Sequence, residues 1–262
     1  MQVAVLDGLC VHYTDTGPAS GPPVVFANSL GTDLRLWDKV LPLLPASCRY
    51  IRYDMRGHGL TSAPKQPYRM GQLVGDAERL MDFLEIKDAV FVGLSIGGLI
   101  AQGLAVKRLD LVRALVLSNT ATKIGTAEIW DRRIAEVNAE GIASLSKEVM
   151  VRWFSRAFRD KPEMMLWKNM LERQPVDGYA GCSAAIQGTD FYSTTAALTL
   201  PTLAIAGSED GSTPPDLVRE TAELIKGSRF RLIRGAGHLP CVEKPEDYAE
   251  LLSVFLQEIG HV

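Results

Sequence analysis

Short apolar runs rich in branched residues alternate along the chain with longer stretches in which apolar residues recur every three or four positions. The first pattern is typical of buried strands and the second of amphipathic helices. Strands are predicted in this way at residues 24–27, 49–54, 89–93, 114–118, 202–206 and 230–233. Helices are predicted at residues 70–84, 97–107, 215–225 and 245–257. The alternation indicates an α/β fold with a mostly parallel central sheet and helices on both faces.

The N-terminal residues have a different pattern. Residues 3–6 and 10–14 are two short runs of strand-forming residues, separated by Asp7-Gly8. An Asp-Gly pair tolerates the positive φ angles that a tight turn needs. The chain is therefore expected to open with a β-hairpin.

A long segment in the second half of the chain contains no strand pattern. Apolar residues at helical spacing occur there in three stretches, residues 127–140, 144–158 and 163–172. We therefore expect a core formed by residues 1–120 and 201–262. Residues 121–200 are expected to form a helical cap, or lid, inserted at the carboxyl edge of the sheet.

Composition and charge argue against several classes of protein. With 262 residues, of which 47% are hydrophobic and 23% charged, the chain can bury a sizeable core. The formal net charge is −3 and no Lys/Arg cluster is interleaved with aromatic residues, so nucleic acid is not an expected partner. No window approaches the roughly 18 apolar residues of a membrane span, and the N-terminus has no signal-peptide pattern. We expect a cytoplasmic protein without a membrane partner; the sequence does not indicate an oligomeric state.

The four cysteines are scattered along the sequence, at Cys10, Cys48, Cys182 and Cys241. None belongs to a CxxC pair or stands at a ligand-like spacing from a histidine. Neither a zinc site nor a disulfide framework is therefore indicated. We expect reduced, mostly structural thiols and no metal site.

The segment around Ser95 has the pattern of a nucleophile elbow. Residues 89–93 form a predicted buried strand, residues 93–97 read Gly-Leu-Ser-Ile-Gly, and an apolar helix follows. Glycines on both sides of the serine relieve the crowding at a sharp strand-to-helix turn, which holds the hydroxyl outward. The start of the helix also offers backbone N–H groups to an oxyanion. We predict Ser95 as the nucleophile and the Ile96 N–H as one oxyanion donor.

The candidates for base and acid follow from their order in the chain. Of the four histidines, His12 lies in the opening hairpin and His261 at the C-terminus, which is expected to be frayed. His238 directly follows the last predicted strand, in a loop that can reach back over the elbow. His58 lies in a tight turn, where we expect it to bond to the backbone. The acidic loop between Ser95 and His238 holds Glu209 and Asp210. We choose Asp210, because Asp-Gly at a turn holds a short carboxylate near the imidazole, and expect Glu209 to be solvated.

With these residues placed, the chain resembles the α/β-hydrolases over almost its whole length. Four segments together are similar to those of the 3-oxoadipate enol-lactonases of the β-ketoadipate pathway: residues 28–31, 53–59, 93–98 and 235–240. They read Asn-Ser-Leu-Gly, Tyr-Asp-Met-Arg-Gly-His-Gly, Gly-Leu-Ser-Ile-Gly-Gly and Gly-Ala-Gly-His-Leu-Pro. Esterases and cofactor-free haloperoxidases share parts of these motifs. The resemblance implies hydrolysis of a small enol-lactone with an acetate arm to 3-oxoadipate, through an acyl-enzyme and without a cofactor.

The resemblance also implies a second oxyanion donor. Residues 26–31 occupy the place of the family's His-Gly-x oxyanion loop, with Asn28 and Ser29 in place of the usual His-Gly. The N–H of Leu30 is then expected to stabilise the oxyanion together with that of Ile96.

A carboxylate on the substrate invites a cation in the pocket. The predicted cap contains Arg132, Arg133 and Arg152, in the neighbourhood of Trp130 and Trp153. We predict that Arg133 binds the carboxylate and that the two tryptophans exclude water around it. In the alternative interpretation, the arginines are solvated on helix faces and the tryptophans are the core of the cap.

Two other functions are compatible with the sequence. A general carboxylesterase or a carbon–carbon bond hydrolase could use the same triad, and it would not prefer an acidic lactone over neutral esters. A small-molecule receptor on a hydrolase fold would instead turn over slowly and recruit a protein partner when the ligand binds. Substrate profiling distinguishes the first alternative from an enol-lactonase. The turnover rate, together with ligand-dependent partner binding, distinguishes the second.

Overall fold

The computed structural model describes all 262 residues and contains one eight-stranded sheet. In chain order its strands are β1 (Gln2–Leu6), β2 (Leu9–Thr16), β3 (Pro23–Ala27), β4 (Arg49–Tyr53), β5 (Ala89–Leu94), β6 (Val112–Ser118), β7 (Thr202–Gly207) and β8 (Arg229–Ile233). Their order across the sheet is β1-β2-β4-β3-β5-β6-β7-β8. β2 pairs antiparallel with both β1 and β4, and all other neighbours are parallel. The predicted fold class is confirmed.

Burial along the strands follows their position in the sheet. In the edge strand β1, Val3 and Val5 are exposed whereas Ala4 and Leu6 are buried, so only one face of this strand is covered. Every residue of the central strand β5 is buried, as expected for a parallel strand with layers on both faces. The predicted hairpin turn is present between β1 and β2, with Asp7 at a φ of 52°.

Eleven α-helices accompany the sheet. They are α1 (Met70–Phe83), α2 (Ile96–Lys107), α3 (Ala127–Glu140), α4 (Ser146–Trp153), α5 (Arg156–Arg159), α6 (Met164–Glu172), α7 (Val176–Gln187), α8 (Tyr192–Thr195), α9 (Pro215–Leu224), α10 (Pro240–Glu243) and α11 (Pro245–Glu258). The four helices predicted outside the cap are α1, α2, α9 and α11, each with bounds within one residue of the prediction. None of the helices is long and apolar enough to cross a membrane.

The path of the chain distributes these helices over both faces of the sheet. The connection from β3 to β4 runs in one direction across the sheet, and the connections from β4 through β8 run back in the other. Because parallel crossovers are right-handed, opposite directions place the connections on opposite faces. α1, α2 and α9 accordingly share one face, while α11 packs with the short 3-10 turns at Leu34–Trp37 and Leu41–Leu43. Both faces of the central strands are thereby covered.

The chain between β6 and β7 contains the helices α3 to α8 and no strand. α3 and α6 match two of the stretches with helical spacing, whereas the stretch at residues 144–158 is divided between α4 and α5. A 3-10 turn (Ile142–Leu145) precedes α4, and Phe154 then takes extended backbone with φ −121° and ψ 141° before α5 begins. Ser155 caps the start of α5 by accepting a hydrogen bond from the Phe158 N–H.

α7 is buried on most of its circumference and was not predicted from the sequence. A helix of this kind lacks the polar face that reveals an amphipathic helix. Its glycines allow very close packing: a Cβ on Gly178 would lie 1.8 Å from the carbonyl oxygen of Gly57, and one on Gly181 2.7 Å from the Tyr68 ring. The helix therefore packs directly on the turn that follows β4.

The helical insertion contacts the loops at the carboxyl ends of three strands. After β3, Gly31 lies against the side chains of Leu171 and Trp153. After β7, the Gly211 N–H donates a hydrogen bond to the carbonyl oxygen of Arg152, and after β8 the His238 N–H donates one to that of Trp153. The insertion is thus positioned over the edge of the sheet where the candidate catalytic residues lie.

Candidate active site

Ser95 occupies the turn between β5 and α2 with φ 58° and ψ −117°. A positive φ is costly for a residue with a Cβ, and such conformations persist only where the surroundings enforce them. A Cβ on Gly93 would lie 2.2 Å from the carbonyl oxygen of Gly97, and one on Gly97 would lie 2.3 Å from that of Ala27. Only glycine fits at either position, which is the crowding expected from the Gly-x-Ser-x-Gly pattern.

The backbone of this turn is fixed by the last residue of β6 and by Thr120, which follows that strand. The Ser95 N–H donates a hydrogen bond to the carbonyl oxygen of Ser118 at 3.0 Å, and the Thr120 hydroxyl donates one to the carbonyl oxygen of Ser95 at 2.7 Å. The Thr120 side chain also fills the space beside Gly98. No local pattern in the sequence identified Thr120, because its role depends on a neighbouring strand.

His238 and Asp210 come together from the loops after β8 and β7. The Nδ1 atom of His238 lies 2.9 Å from Oδ2 of Asp210, and both side chains are buried. Since a carboxylate can only accept, Nδ1 carries the proton and Nε2 is left as the basic nitrogen. Glu209, the other candidate acid, is exposed and accepts a hydrogen bond from the Arg156 N–H instead.

Asp210 is surrounded by hydrogen-bond donors that sequence reasoning did not find. Oδ2 accepts from Asn119 Nδ2 and from the Thr213 hydroxyl, both at 2.8 Å, and Oδ1 accepts from the Ser212 N–H at 2.7 Å. Burial raises the pKa of the Asp210 carboxyl, but the charge of His238 and the hydrogen bonds from His238, Asn119 and the Ser212 N–H outweigh it and hold the pKa below its usual value. The acid is therefore ionised and fixed in orientation.

The basic nitrogen of His238 faces a different serine from the predicted nucleophile. Nε2 lies 3.4 Å from the hydroxyl oxygen of Ser29, a long contact. The Ser95 hydroxyl makes no hydrogen bond to another protein group, yet Ser95, Ser29 and His238 line the same cavity. Catalytic hydrogen bonds are often long or unformed without substrate and tighten when it binds.

The two backbone groups expected to bind an oxyanion are free. The Leu30 N–H donates no hydrogen bond to the protein. Ile96 is the first residue of α2, where an N–H has no acceptor within the helix. The Asn28 side chain anchors the Leu30 loop, because it donates to the carbonyl oxygen of Tyr53 and accepts from Trp37 Nε1, both at 2.8 Å. The departure from His-Gly therefore leaves this loop firmly held.

His58 anchors the same loop from the other side. Its Nε2 accepts a hydrogen bond from the Gly31 N–H at 2.9 Å, and its Nδ1 donates to the carbonyl oxygen of Arg56 at 3.3 Å. Complete burial lowers the pKa of His58 to about 4, so the imidazole is neutral and both nitrogens serve the backbone. The backbone role expected for this turn histidine is present.

A cavity of about 130 Å³ adjoins Ser95 and His238. The core contributes polar groups to its wall, at Ser29, Ser95, Ser212 and His238. The insertion contributes large side chains, at Trp130, Arg133, Arg152, Trp153 and Tyr179. No aspartate or glutamate lines the cavity. The charged side chains of its wall are therefore the two arginines, Arg133 and Arg152.

The structure brings Arg133, Trp130 and Trp153 to this cavity wall, as the sequence analysis expected, but not Arg132. The Arg133 guanidinium lies 5.2 Å from the Trp130 ring centre, and Trp130 Nε1 donates to the carbonyl oxygen of Ile124. Both tryptophans are also buried, so they serve the packing of the insertion as well as the cavity. Arg152 was considered in the sequence but not chosen, and it shares the wall with Arg133.

The alpha/beta hydrolase family model matches residues 24–251, most of the chain. The geometry built above agrees with that match: a strand–serine–helix elbow, a histidine and an aspartate meet at the carboxyl edge of a mostly parallel sheet. The chain therefore belongs to the alpha/beta hydrolase family.

Proteins with similar sequences and structures indicate which members of this family the chain resembles. The chain is 34% identical over 254 residues to 3-oxoadipate enol-lactonase 2 of Acinetobacter baylyi, covering 96% of this chain and 95% of the relative. The crystal structure of the enol-lactonase from Burkholderia xenovorans LB400 superposes with a TM-score of 0.94 at 34% identity, covering 98% of this chain and 100% of that one. The crystal structure of a hydrolase from Pseudomonas aeruginosa PA01 superposes with a TM-score of 0.93 at 36% identity, covering 97% of each chain. The chain is a carboxylic ester hydrolase that resembles the 3-oxoadipate enol-lactonases.

Proposed function

We propose that this chain is a serine hydrolase that opens 3-oxoadipate enol-lactone to 3-oxoadipate through an acyl-enzyme. The cavity carries the proposal, because it joins Ser95 and His238 to two arginines and contains no carboxylate. A small substrate with one carboxylate and one reactive carbonyl suits such a site. The similarity to the enol-lactonases of two bacteria supports this choice of substrate.

In the first half of the proposed reaction Ser95 attacks the lactone carbonyl. Its hydroxyl proton passes to His238 Nε2 as the bond from Oγ to the carbonyl carbon forms, and Asp210 stabilises the resulting imidazolium. The N–H groups of Leu30 and Ile96 bind the developing oxyanion. For this step the Ser95 hydroxyl must displace the Ser29 hydroxyl from Nε2, since that nitrogen has only one lone pair.

Collapse of the tetrahedral intermediate breaks the bond between the carbonyl carbon and the ring oxygen. The ring oxygen leaves as an enol, taking the proton from His238, and the enol tautomerises to the ketone while its chain stays attached as the acyl group on Ser95. Water then attacks this acyl-enzyme as His238 accepts its proton, and His238 returns the proton to Ser95 Oγ as the free acid departs. The scheme uses the triad, water and substrate.

Substrate orientation is assigned to the insertion. Arg133 is only 13% exposed and is positioned over Trp130, so its guanidinium can form two parallel hydrogen bonds to the acetate arm in a partly dehydrated place. Trp130 and Trp153 exclude water from this side of the cavity. We accordingly propose that residues 121–200 act as a cap on a core made of residues 1–120 and 201–262.

The test is the rate at which the purified protein hydrolyses 3-oxoadipate enol-lactone, measured beside 4-nitrophenyl acetate as a neutral ester. We expect faster turnover of the lactone and a loss of about 10⁴-fold or more in Ser95→Ala. Ser212→Ala is the matched control, since it removes a hydroxyl from the same cavity wall but keeps the backbone N–H that contacts Asp210. It should retain the rate of the unmodified protein.

Each contrary outcome has a distinct meaning. If the protein hydrolyses the ester but not the lactone, the triad assignment would stand, the proposed substrate would be wrong, and a general carboxylesterase would be favoured. An active Ser95→Ala variant would overturn the triad assignment. No turnover of either substrate, together with ligand-dependent binding of a protein, would favour the receptor alternative.

A further inference from the structure

The arginines of the active-site cavity also line a second pocket nearer the surface. This outer pocket has a volume of about 380 Å³, and its wall consists of Ile129, Arg132, Arg133, Glu136, Leu145, Glu148 and Arg152. Three of these residues, Ile129, Arg133 and Arg152, line the inner cavity as well. The two arginines therefore stand at the boundary between the surface pocket and the catalytic residues.

One carboxylate already faces both arginines at this boundary. Oε1 of Glu148 lies 2.7 Å from a terminal nitrogen of Arg152 and 3.7 Å from one of Arg133. Glu148 and Arg152 are one turn apart on α4, whereas Arg133 belongs to α3, so the carboxylate links two helices of the insertion. The Glu148 side chain is 56% exposed and the Arg152 side chain 39%. Exposed ion pairs of this kind are weak and can be replaced by another anion.

We propose that Glu148 is a specificity-determining residue that competes with the substrate carboxylate for Arg133 and Arg152. This inference rests on the proposed function, because it concerns the same anionic substrate. The guanidinium groups are already paired with Glu148 when a substrate carboxylate binds. The net binding free energy is therefore only the difference between the interaction of the substrate carboxylate and that of Glu148. A neutral ester makes no such exchange, so Glu148 affects anionic substrates alone.

The same competition assists release of the product. Hydrolysis of the lactone creates a second carboxylate, so the product carries one more negative charge than the substrate and is held more strongly by the arginines. The ion pair between Glu148 and Arg152 can form again as the product dissociates. Without the Glu148 charge, a dicarboxylate should therefore inhibit the enzyme at lower concentration.

The experiment compares Glu148→Gln with the unmodified full-length chain on two chromogenic esters. Mono-4-nitrophenyl succinate carries a carboxylate, whereas 4-nitrophenyl acetate is neutral, and both release the same leaving group. For Glu148→Gln we expect KM for the succinate ester to fall about two- to five-fold, which corresponds to the strength of an exposed ion pair. The KM for the acetate ester and kcat for both esters should stay unchanged, and the inhibition constant of adipate should fall by a similar factor.

Glu136→Gln is the matched control. Glu136 lines the same outer pocket and forms no ion pair with either arginine, so this variant makes the same change of charge without releasing Arg133 or Arg152. Its kinetic constants should match those of the unmodified protein. Equal effects of the two variants would assign the change to the general charge of the pocket and overturn the specific role of Glu148.

The outcomes separate this inference from the proposed function. If the unmodified protein has no lower KM for the succinate ester than for the acetate ester, carboxylate recognition at the cavity is wrong, and the proposed substrate with it. If the protein discriminates but Glu148→Gln leaves both KM values unchanged, only the competition is wrong. If Glu148→Gln lowers KM for both esters alike, the substitution has widened the passage to the cavity, and the proposed competition is again wrong.

Discussion

Replacing His58 with glutamine should remove a large part of the protein's loss of stability in acid. The imidazole is fully buried, accepts the Gly31 N–H and donates to the carbonyl oxygen of Arg56. Burial lowers its pKa to about 4, whereas an unfolded chain has the ordinary value of about 6.5. The unfolded chain therefore takes up a proton at a higher pH than the folded protein does.

The sign and size of the effect follow from proton linkage. Because the folded pKa lies below the unfolded one, the contribution to stability is fully present above pH 6.5 and is lost as the pH falls toward 4. The difference between the two pKa values corresponds to about 3 kcal/mol, of which about 2 kcal/mol is already lost at pH 4.5. Glutamine does not titrate, and its amide oxygen offers an acceptor to the Gly31 N–H.

The assay is urea unfolding of the unmodified protein and of His58→Gln at pH 7 and pH 4.5. The pKa of His261 is also lowered in the fold, so stability falls in both proteins over this pH range, but this contribution cancels in the comparison. We expect the unmodified protein to lose about 2 kcal/mol more than the variant between the two pH values. Equal losses would refute the argument, since they would mean that His58 is not held neutral by the fold.

Two further predictions concern Asn119 and the packing of α7. Asn119→Ala removes a buried hydrogen bond to the ionised Asp210, so kcat for 4-nitrophenyl acetate should fall about ten- to hundred-fold. Asn119→Gly accommodates the φ of 46° without strain, and its kcat should fall by the same factor. A glycine variant with full kcat would show that only backbone strain matters. Gly178→Ala places a Cβ 1.8 Å from the Gly57 carbonyl oxygen and should lower the free energy of unfolding by about 2–3 kcal/mol in urea. The matched Gly188→Ala, with its nearest contact at 3.6 Å, should stay within about 1 kcal/mol, and equal values for the two variants would contradict the close packing.

The sequence allowed the sheet and three candidate residues of the site to be predicted because their signals are local. The central strands β3, β5, β6 and β7 are short apolar runs, and Ser95 lies in a motif whose spacing is set by crowding within one turn. His238 and Asp210 follow strands that end at the same edge of a parallel sheet, so chain order was enough to relate them. Their catalytic roles remain proposals.

The groups that orient the candidate triad could not be predicted in the same way. Asn119 reaches Asp210 across 91 positions of sequence, and Ser29 reaches His238 across 209. No periodicity or short motif connects residues so far apart, and each is a common polar residue in a loop. Glu148 was missed for a related reason, since its meaning depends on how α3 and α4 pack together.

The helical insertion shows the limits of periodicity itself. Phe154 interrupts an apolar pattern that continues past it, because the chain must leave α4 at the point where its carbonyl groups meet the loops of the core. α7 shows no amphipathic pattern because nearly every side of it is packed. In both cases tertiary contacts decide the local conformation.

The hydrogen bonds that join α4 to the loops of the candidate acid and base run through its backbone. The carbonyl oxygens of Arg152 and Trp153 accept from the N–H groups of Gly211 and His238, whereas the side chains of the same two residues face the cavity. A carbonyl oxygen is retained when a side chain is replaced. The wall that meets the substrate can therefore be redesigned, or diversify in evolution, while the loops that hold the acid and the base keep their attachment.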